Sequence, residues 1–381
     1  MLPVALPTSE SPRVSVIVLG WREAPYLLSC LESIARHCSG AIPFELLLFL
    51  NEPSDALRER VRQQVRGARV AESPINLGFG GGNNAAARSA RGEFIVLLND
   101  DAVVQPGWLE ALVAAADLRP AAGAIGSRVL AWDGTIQEAG GQLWRDASVT
   151  PLGYGLPGDS SEFVGLRSVD FASGCSLLVR HETWTALDGF DERYFPAYYE
   201  DVDLCLRIRA RGLDVLCAGR SAVRHRQGGS VHQRFKSFLL SRNAALLRAM
   251  QAAALESKPL PPEGLWVVRE QQIPPEAAAV PVLDEQPVLG SAGTRALLLD
   301  HRVRLAYAGV LESKADAREQ ELLAQIDQLH DWTADLEQRA QQREADLRNF
   351  TGEHEELQRW ALELQQRVQC LEAEAARSLG G

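Results

Sequence analysis

Three runs of unbroken apolar residues, Val14–Leu19 (VSVIVL), Glu45–Leu50 (ELLLFL) and Glu93–Leu98 (EFIVLL), constrain this chain more than any other feature. None alternates between polar and apolar positions, so each reads as a strand buried on both faces, as in a central parallel sheet. Parallel neighbours need helical crossovers, and the intervening sequence supplies them. Tyr26–His37 sets Leu27, Leu31 and Ile34 on one helical face, and further helices are expected over Ala85–Ala90, Trp108–Asp117 and Leu204–Arg211. Strand signals recur at Arg69–Glu72, Val169–Phe171, Cys175–Val179 and Leu213–Cys217. The expectation is an α/β domain with a mainly parallel central sheet over residues 13–250, behind a short tail at 1–12.

Composition changes beyond Met250. Pro259, Pro261, Pro262, Pro274, Pro275, Pro281 and Pro287 are too many for a helix interior or a central strand, so 251–295 reads as a linker. Residues 296–377 read as a helical region with a coiled-coil seam. Leu322, Leu329, Leu336, Phe350, Leu357, Leu364 and Leu371 hold one heptad position, and Ile326, Thr333, Ala340, Leu347, Ala361 and Val368 the other. Arg343 and His354 interrupt the seam, and Gly352 offers a break at which two helices fold back as a hairpin. A homo-oligomer, docking to a partner helix, and an amphipathic helix packed on its own domain all fit this pattern.

The net charge is -11, and residues 311–381 alone hold 16 acidic against 8 basic side chains. A broad nucleic-acid footprint is therefore excluded, and an anionic ligand must be held locally. No apolar run approaches the roughly 20 residues that span a bilayer. The first residues lack the basic and apolar regions of a signal peptide. Six scattered cysteines fit reduced thiols in a cytoplasm.

The chemistry-bearing residues fall in four places. Asn99-Asp100-Asp101 ends an apolar strand, the side of an open α/β sheet where ligands bind, and its carboxylates suit a divalent cation that also takes substrate phosphates. Glu200-Asp201-Val202-Asp203 opens a helix behind the aromatic Phe195–Tyr199. Asp203 reads there as a carboxylate complementing the helix dipole, and Asp201, with Glu200, as a general base in a partly dry cleft. Asn76–Asn84 (NLGFGGGNN) fails the dinucleotide fingerprint because Asn83 stands where its last glycine belongs. It reads as a glycine turn that lets backbone approach a ligand ahead of a helix. Ser221–Ser230, with Arg224, His225 and Arg226, reads as a basic loop for a diphosphate, His225 completing a metal site.

Taken in order, VSVIVLGW, ELLLFLNEPSD, NLGFGGGNN, EFIVLLNDDAVV, SGCSLLVR, GFDERYFPAYYEDVDLCLRIRARG and VRHRQGGS resemble the family 2 glycosyltransferases, in particular the rhamnosyltransferase-like branch of bacterial surface-polysaccharide enzymes. The resemblance implies a GT-A nucleotide-sugar-binding domain, a divalent metal (Mn2+ or Mg2+), and inversion at the anomeric carbon. It makes Asp101 and His225 the metal ligands and Asp201 and Glu200 the catalytic pair. Asn76, Gly78, Gly82, Asn83, Asp100 and Arg224 become donor contacts. The implied donor is a dTDP- or UDP-sugar, the acceptor a glycan or lipid-linked glycan, and the location cytoplasmic, at the inner face of the membrane. Two departures stand out. Leu50-Asn51-Glu52 replaces the segment whose aspartate reads the pyrimidine edge, and Gly20-Trp21 replaces the usual threonine-tyrosine pair. A scaffold that has lost catalysis and recruits partners through its coiled coil is the alternative. It has no chemical need for both acidic clusters.

Overall fold

The apolar runs form the expected strands, the first two each two residues longer than the pattern and the third shifted by one residue. The structure is a computed structural model that describes residues 3–38, 40–226, 233–262, 292–312, 359–370 and 372–373, in two units, 1–271 and 272–381. In the first unit the strands are β1 (Val4–Ala5), β2 (Val14–Trp21), β3 (Phe44–Asn51), β4 (Val65–Arg66), β5 (Ala68–Ser73), β6 (Phe94–Asn99) and β7 (Ala102–Val104). They continue as β8 (Ala122–Leu130), β9 (Ile136–Glu138), β10 (Gly141–Leu143), β11 (Val149–Pro151), β12 (Leu166–Ser168), β13 (Ser176–Arg180) and β14 (Asp214–His225). The helices are α1 (Leu27–His37), α2 (Asp55–Gln64), α3 (Gly78–Ala87), α4 (Trp108–Leu118), α5 (His181–Ala186), α6 (Glu200–Ala210), α7 (Gln233–Met250) and α8 (Ala252–Glu256).

The main sheet runs β12-β14-β8-β13-β6-β2-β3-β5, with β7 on β14 and β9 on β8. Strands β6, β2, β3 and β5 pair in parallel, as do β8 and β14, while β13 lies antiparallel between β6 and β8. The parallel half is dry: Val14, Val16, Ile17 and Val18 of β2 and Phe94, Ile95, Val96 and Leu97 of β6 expose nothing. Burying such side chains stabilises by about 1.5 to 3 kcal/mol each. From α1, Leu27, Leu31 and Ile34 close one face, as their spacing requires.

The inserted antiparallel strand is fixed by hydroxyls. Trp108 Nε1 donates to Ser176 Oγ at 2.9 Å, Ser176 and Ser127 hydroxyls lie 2.7 Å apart, Ser127 and Ser221 also 2.7 Å, and Ser221 Oγ donates to Trp108 O at 2.9 Å. This closed circuit ties α4, β8, β13 and β14 together with every hydroxyl partnered, which makes a buried polar network specific rather than costly.

Three expectations need correction. Val169–Phe171 forms no strand, only a bridge from Phe171 to Gly141. The glycine run is not a turn ahead of a helix but the first turns of α3, since small residues let that helix lie close on its neighbours. A Cβ at Gly82 would stand 2.6 Å from Leu19 Cδ1, and one at Gly80 3.2 Å from Phe190 Cβ. Ser221–His225 is not loop but the end of β14, which continues through a register shift at Ala218/Ala222. Residues 227–230 lie outside the described residues.

The chain stays on the first unit after α7. Lys258 pairs with Asp170, and the Lys258 and Pro259 carbonyls accept from Arg145. In the second unit, α9 (Ala292–Glu312) is joined by a helical stretch at 359–370. The His301 ring stacks on Trp360 with centroids 5.6 Å apart, and the seam residues Ala361, Leu364 and Val368 are buried. The heptad positions between 313 and 358, and Leu371, lie outside the described residues, as does most of the proline-rich stretch. Among the described residues no helix is long and apolar enough to cross a membrane.

Candidate active site

Strand pairing brings the acidic strand end to the histidine. β7 runs antiparallel to the end of β14, with Ala102 opposite His225, and Arg226 N donates to Asp101 O at 3.1 Å. Asp101 is thus held beside His225, its Oδ1 3.1 Å from Nε2. Asn99 Nδ2 lies 3.4 Å from the same nitrogen, across 126 residues of sequence. The other ring nitrogen, Nδ1, faces the Gln137 amide on β9, with Nε2 at 3.0 Å and Oε1 at 3.3 Å. When Nε2 is the ligating nitrogen, Nδ1 carries the proton and donates to Gln137 Oε1.

The second acidic cluster joins the first through the residues that precede β13. Asn99 N donates to Cys175 O at 3.0 Å, and one residue earlier Gly174 N donates to Asp201 Oδ2 at 3.0 Å. Asp201 Oδ1 accepts from Val202 N at 2.8 Å. The close approach requires glycine, because a Cβ at Gly174 would meet the Phe79 ring at 3.0 Å and Asp201 Cβ at 3.8 Å. Asp201 therefore lies two hydrogen bonds and one residue from Asn99, so the strand end and the helix start are tied to the same turn.

The backbone entering α6 is strained. Tyr198 and Tyr199 have φ of 79° and 73°, left-handed values that cost non-glycine residues about 1 to 3 kcal/mol each. They are held from α7: Asn243 Nδ2 lies 3.1, 2.9 and 2.7 Å from the carbonyls of Tyr194, Ala197 and Tyr198. Arg242 donates to the Phe195 and Arg193 carbonyls at 3.0 Å each. Asn243→Ala is expected to cost about 1 to 3 kcal/mol in stability, the penalty for stranding buried carbonyls. It should lower kcat more than donor affinity, because the loop it releases ends at Asp201. Denaturant unfolding and steady-state kinetics check both effects.

Burial raises several carboxyls. Glu200 is 5% exposed, its Oε2 has no hydrogen-bond partner, and burial followed by the charge of Asp201 pushes its pKa well up. Burial also raises Asp201, against the lowering effect of its amide donors. Asp100 rises to about 7 through burial and then the neighbouring Asp101. His225 is raised to about 11: burial opposes the charged ring, but Cys175 and Asp101 outweigh it. Asp203 is fully buried and serves the helix, bonding Arg207 Nε at 2.6 Å and Gln251 Nε2 at 2.8 Å.

The expected donor residues divide. Asn76 Oδ1 accepts from Gly78 N at 2.8 Å and Asn51 Nδ2 at 3.1 Å, so Asn76 and Asn51 shape the entry to α3. Gly78 has φ 73°, and a Cβ there would meet the Phe195 ring at 2.8 Å. Asn83 is buried, its Nδ2 on Phe79 O. Gly82 packs on Leu19. By contrast, Arg224 Nε is buried with no hydrogen-bond partner. Glu52, beyond β3, accepts from Trp21 Nε1 at 3.3 Å and Arg22 Nε at 3.1 Å, which sets a carboxylate beside an indole at the carboxyl ends of β2 and β3. Gln137 and Glu138 escaped the sequence reading. Both sit on a strand of three residues with no periodic signal.

Among the described residues no group of three or more His, Cys, Asp or Glu is gathered for a metal ion. Asp101 and His225 nevertheless fit a divalent cation that completes its shell with diphosphate oxygens and water, and the buried, unpartnered Asn99 Oδ1 beside them is a further hard donor.

The profile described as "Glycosyltransferase like family 2" matches residues 12–239. Over 238 residues the chain is 33% identical to the O-antigen biosynthesis protein RfbC of Myxococcus xanthus, covering 60% of this chain and 18% of that one. It is 28% identical over 238 residues to the N-acetylglucosaminyl-diphospho-decaprenol L-rhamnosyltransferase of Mycobacterium tuberculosis (strain ATCC 25618 / H37Rv), covering 55% of this chain and 75% of that one. The first of these matches thus spans less than a fifth of its relative's length. A solved structure, GalNAc-T7 with UDP, GalNAc and Mn2+, is similar at a TM-score of 0.49 and 15% identity, over 63% of this chain and 48% of that one. With the seven ordered motifs, the mainly parallel sheet and a family profile covering more than half its length, the chain belongs to glycosyltransferase family 2.

Proposed function

We propose that this protein moves a sugar from a nucleotide-sugar donor, a dTDP- or UDP-sugar, to a glycan or lipid-linked glycan acceptor in bacterial surface-polysaccharide synthesis, with inversion at the anomeric carbon. The observation that supports the reading is the path Asn99–Cys175–Gly174–Asp201, which ties the acidic strand end to the proposed base through a single turn. Relatives named for O-antigen biosynthesis and rhamnosyl transfer support the substrate class.

Asp201 receives the proton of the acceptor hydroxyl as that oxygen bonds to the anomeric carbon and the bond to the nucleoside diphosphate breaks. Attack from the opposite face inverts the centre with no covalent enzyme intermediate. Asp101 and His225 would hold the divalent cation, which when bound offsets the negative charge building on the departing diphosphate. Arg224, with its buried unpartnered Nε, is suited to the same anion. Glu52 and Trp21 stand where a base would be read, the carboxylate displaced by two residues from Leu50. The heptad frame supports a helical pairing module attached to this domain.

Calorimetry with UDP-, dTDP- and GDP-sugars, each with and without manganese, tests the reading. Metal-dependent binding of one donor is expected. Folded protein that binds none of them overturns it in favour of the scaffold alternative.

A further inference from the structure

Two carboxyl groups, not one, hang from the turn that precedes β13. Ser173 N donates to Glu138 Oε1 at 3.1 Å, and the next amide, Gly174 N, donates to Asp201 Oδ2 at 3.0 Å. The turn is itself fixed, since Cys175 N donates to Ser173 Oγ at 3.2 Å and Cys175 O accepts from Asn99 N. Glu138 arrives from β9, held on β8 by the pairing of Glu138 with Val129. Asp201 arrives from α6. Adjacent amides thus gather two acids, 63 positions apart in sequence, at the base's own anchor.

We propose that Glu138 is the positioning partner of Asp201: of the two carboxyl groups gathered at this turn, Glu138 keeps its proton, which leaves Asp201 as the ionised member that takes the proton of the acceptor. This rests on the assignment of Asp201 as base. Like charges gathered at one anchor do not both ionise readily, and environments that hold two acids apart in proton affinity divide their roles. Burial, and then the charge of Asp201, raise Glu138 to about 8. The groups that face it from packed elements are Asp201 and the Cys205 thiol of α6, His225 and the Cys217 thiol of β14, and Cys175. The Cys205 and Cys217 thiols are themselves pushed up to about 12 by burial and so stay neutral, Cys175 interacts with His225, and His225 acts in the opposite sense to Asp201. A neutral Glu138 also spares the cleft a second negative charge where an anionic diphosphate must sit.

The test combines kinetics with infrared titration of protein carrying 13C-labelled glutamate. At pH 7 the protonated carboxyl absorption is expected to hold, beside that of buried Glu200, a component that is lost in Glu138→Gln, titrates near pH 8, and moves to lower pH in Asp201→Asn. Glu138→Gln, a neutral stand-in for the protonated acid, should keep kcat within about threefold at pH 7 and extend activity to higher pH. Glu138→Ala should lower kcat by up to about 100-fold, the scale of a misplaced catalytic group, with donor affinity unchanged. A band already ionised at pH 7, or one that Asp201→Asn leaves unmoved in an enzyme it inactivates, would overturn the Glu138 proposal alone. Turnover retained by Asp201→Asn would overturn the base assignment and this proposal with it. Should Glu138→Ala fail to fold, the glutamine variant and the titration still decide.

Discussion

Asp201→Asn is expected to lower kcat by about 10²- to 10⁴-fold, the range for a general base, while metal-dependent donor binding persists. The substitution is nearly isosteric, and the asparagine carbonyl can still accept one of the two amides, Gly174 N or Val202 N, that now engage the carboxylate. The stability lost is that of one buried amide left without its acceptor, about 1 to 3 kcal/mol and read by unfolding, whereas the rate loss represents about 2.7 to 5.4 kcal/mol of barrier. Turnover and donor binding measured on the same preparation separate the two. Near-normal turnover would remove Asp201 from the reaction.

Asp101→Ala is expected to weaken manganese-dependent donor binding by about 100-fold or more, read by calorimetry with and without the ion. The backbone tie of this segment is kept. Asp101 anchors β14 through its backbone carbonyl, which accepts from Arg226 N and is kept by alanine, and its side chain is part-exposed. Only the carboxylate facing His225 is lost. Equal donor affinity in the two proteins, with or without manganese, would take the cation away from this strand end.

How far the sequence revealed this protein depended on burial. The parallel half was legible because strands dry on both faces are written as unbroken apolar runs, as in β2, β3 and β6. The start of α3 was not, since glycines are poor helix formers and are tolerated there only because Leu19 and Phe190 need the room. The end of β14 is not legible as strand because its apolar pattern is interrupted at the register shift between Ala218 and Ala222 and gives way to Arg224 and His225. Asp101, Asp201 and His225 are singled out by type and order as candidates, but what lies beside each is not legible, since it depends on β7 crossing to β14 and on β13 entering antiparallel. Gln137 and Glu138 carry no local pattern at all: β9 has three residues, and its partners are supplied by tertiary structure.

The lateness of β14 has a consequence for synthesis. This strand reaches the sheet last among those of the first unit, yet it lies inside it, between β8 and β12, and brings the histidine that meets Asp101. A chain emerging from the ribosome therefore carries Asp101 for 124 further positions before the histidine that meets it has been made. Closing so long a loop is an entropically costly step of folding, and here it coincides with the pairing of β7 and β14 that sets Asp101 beside His225. The two side chains thus come together only once the whole sheet has been synthesised.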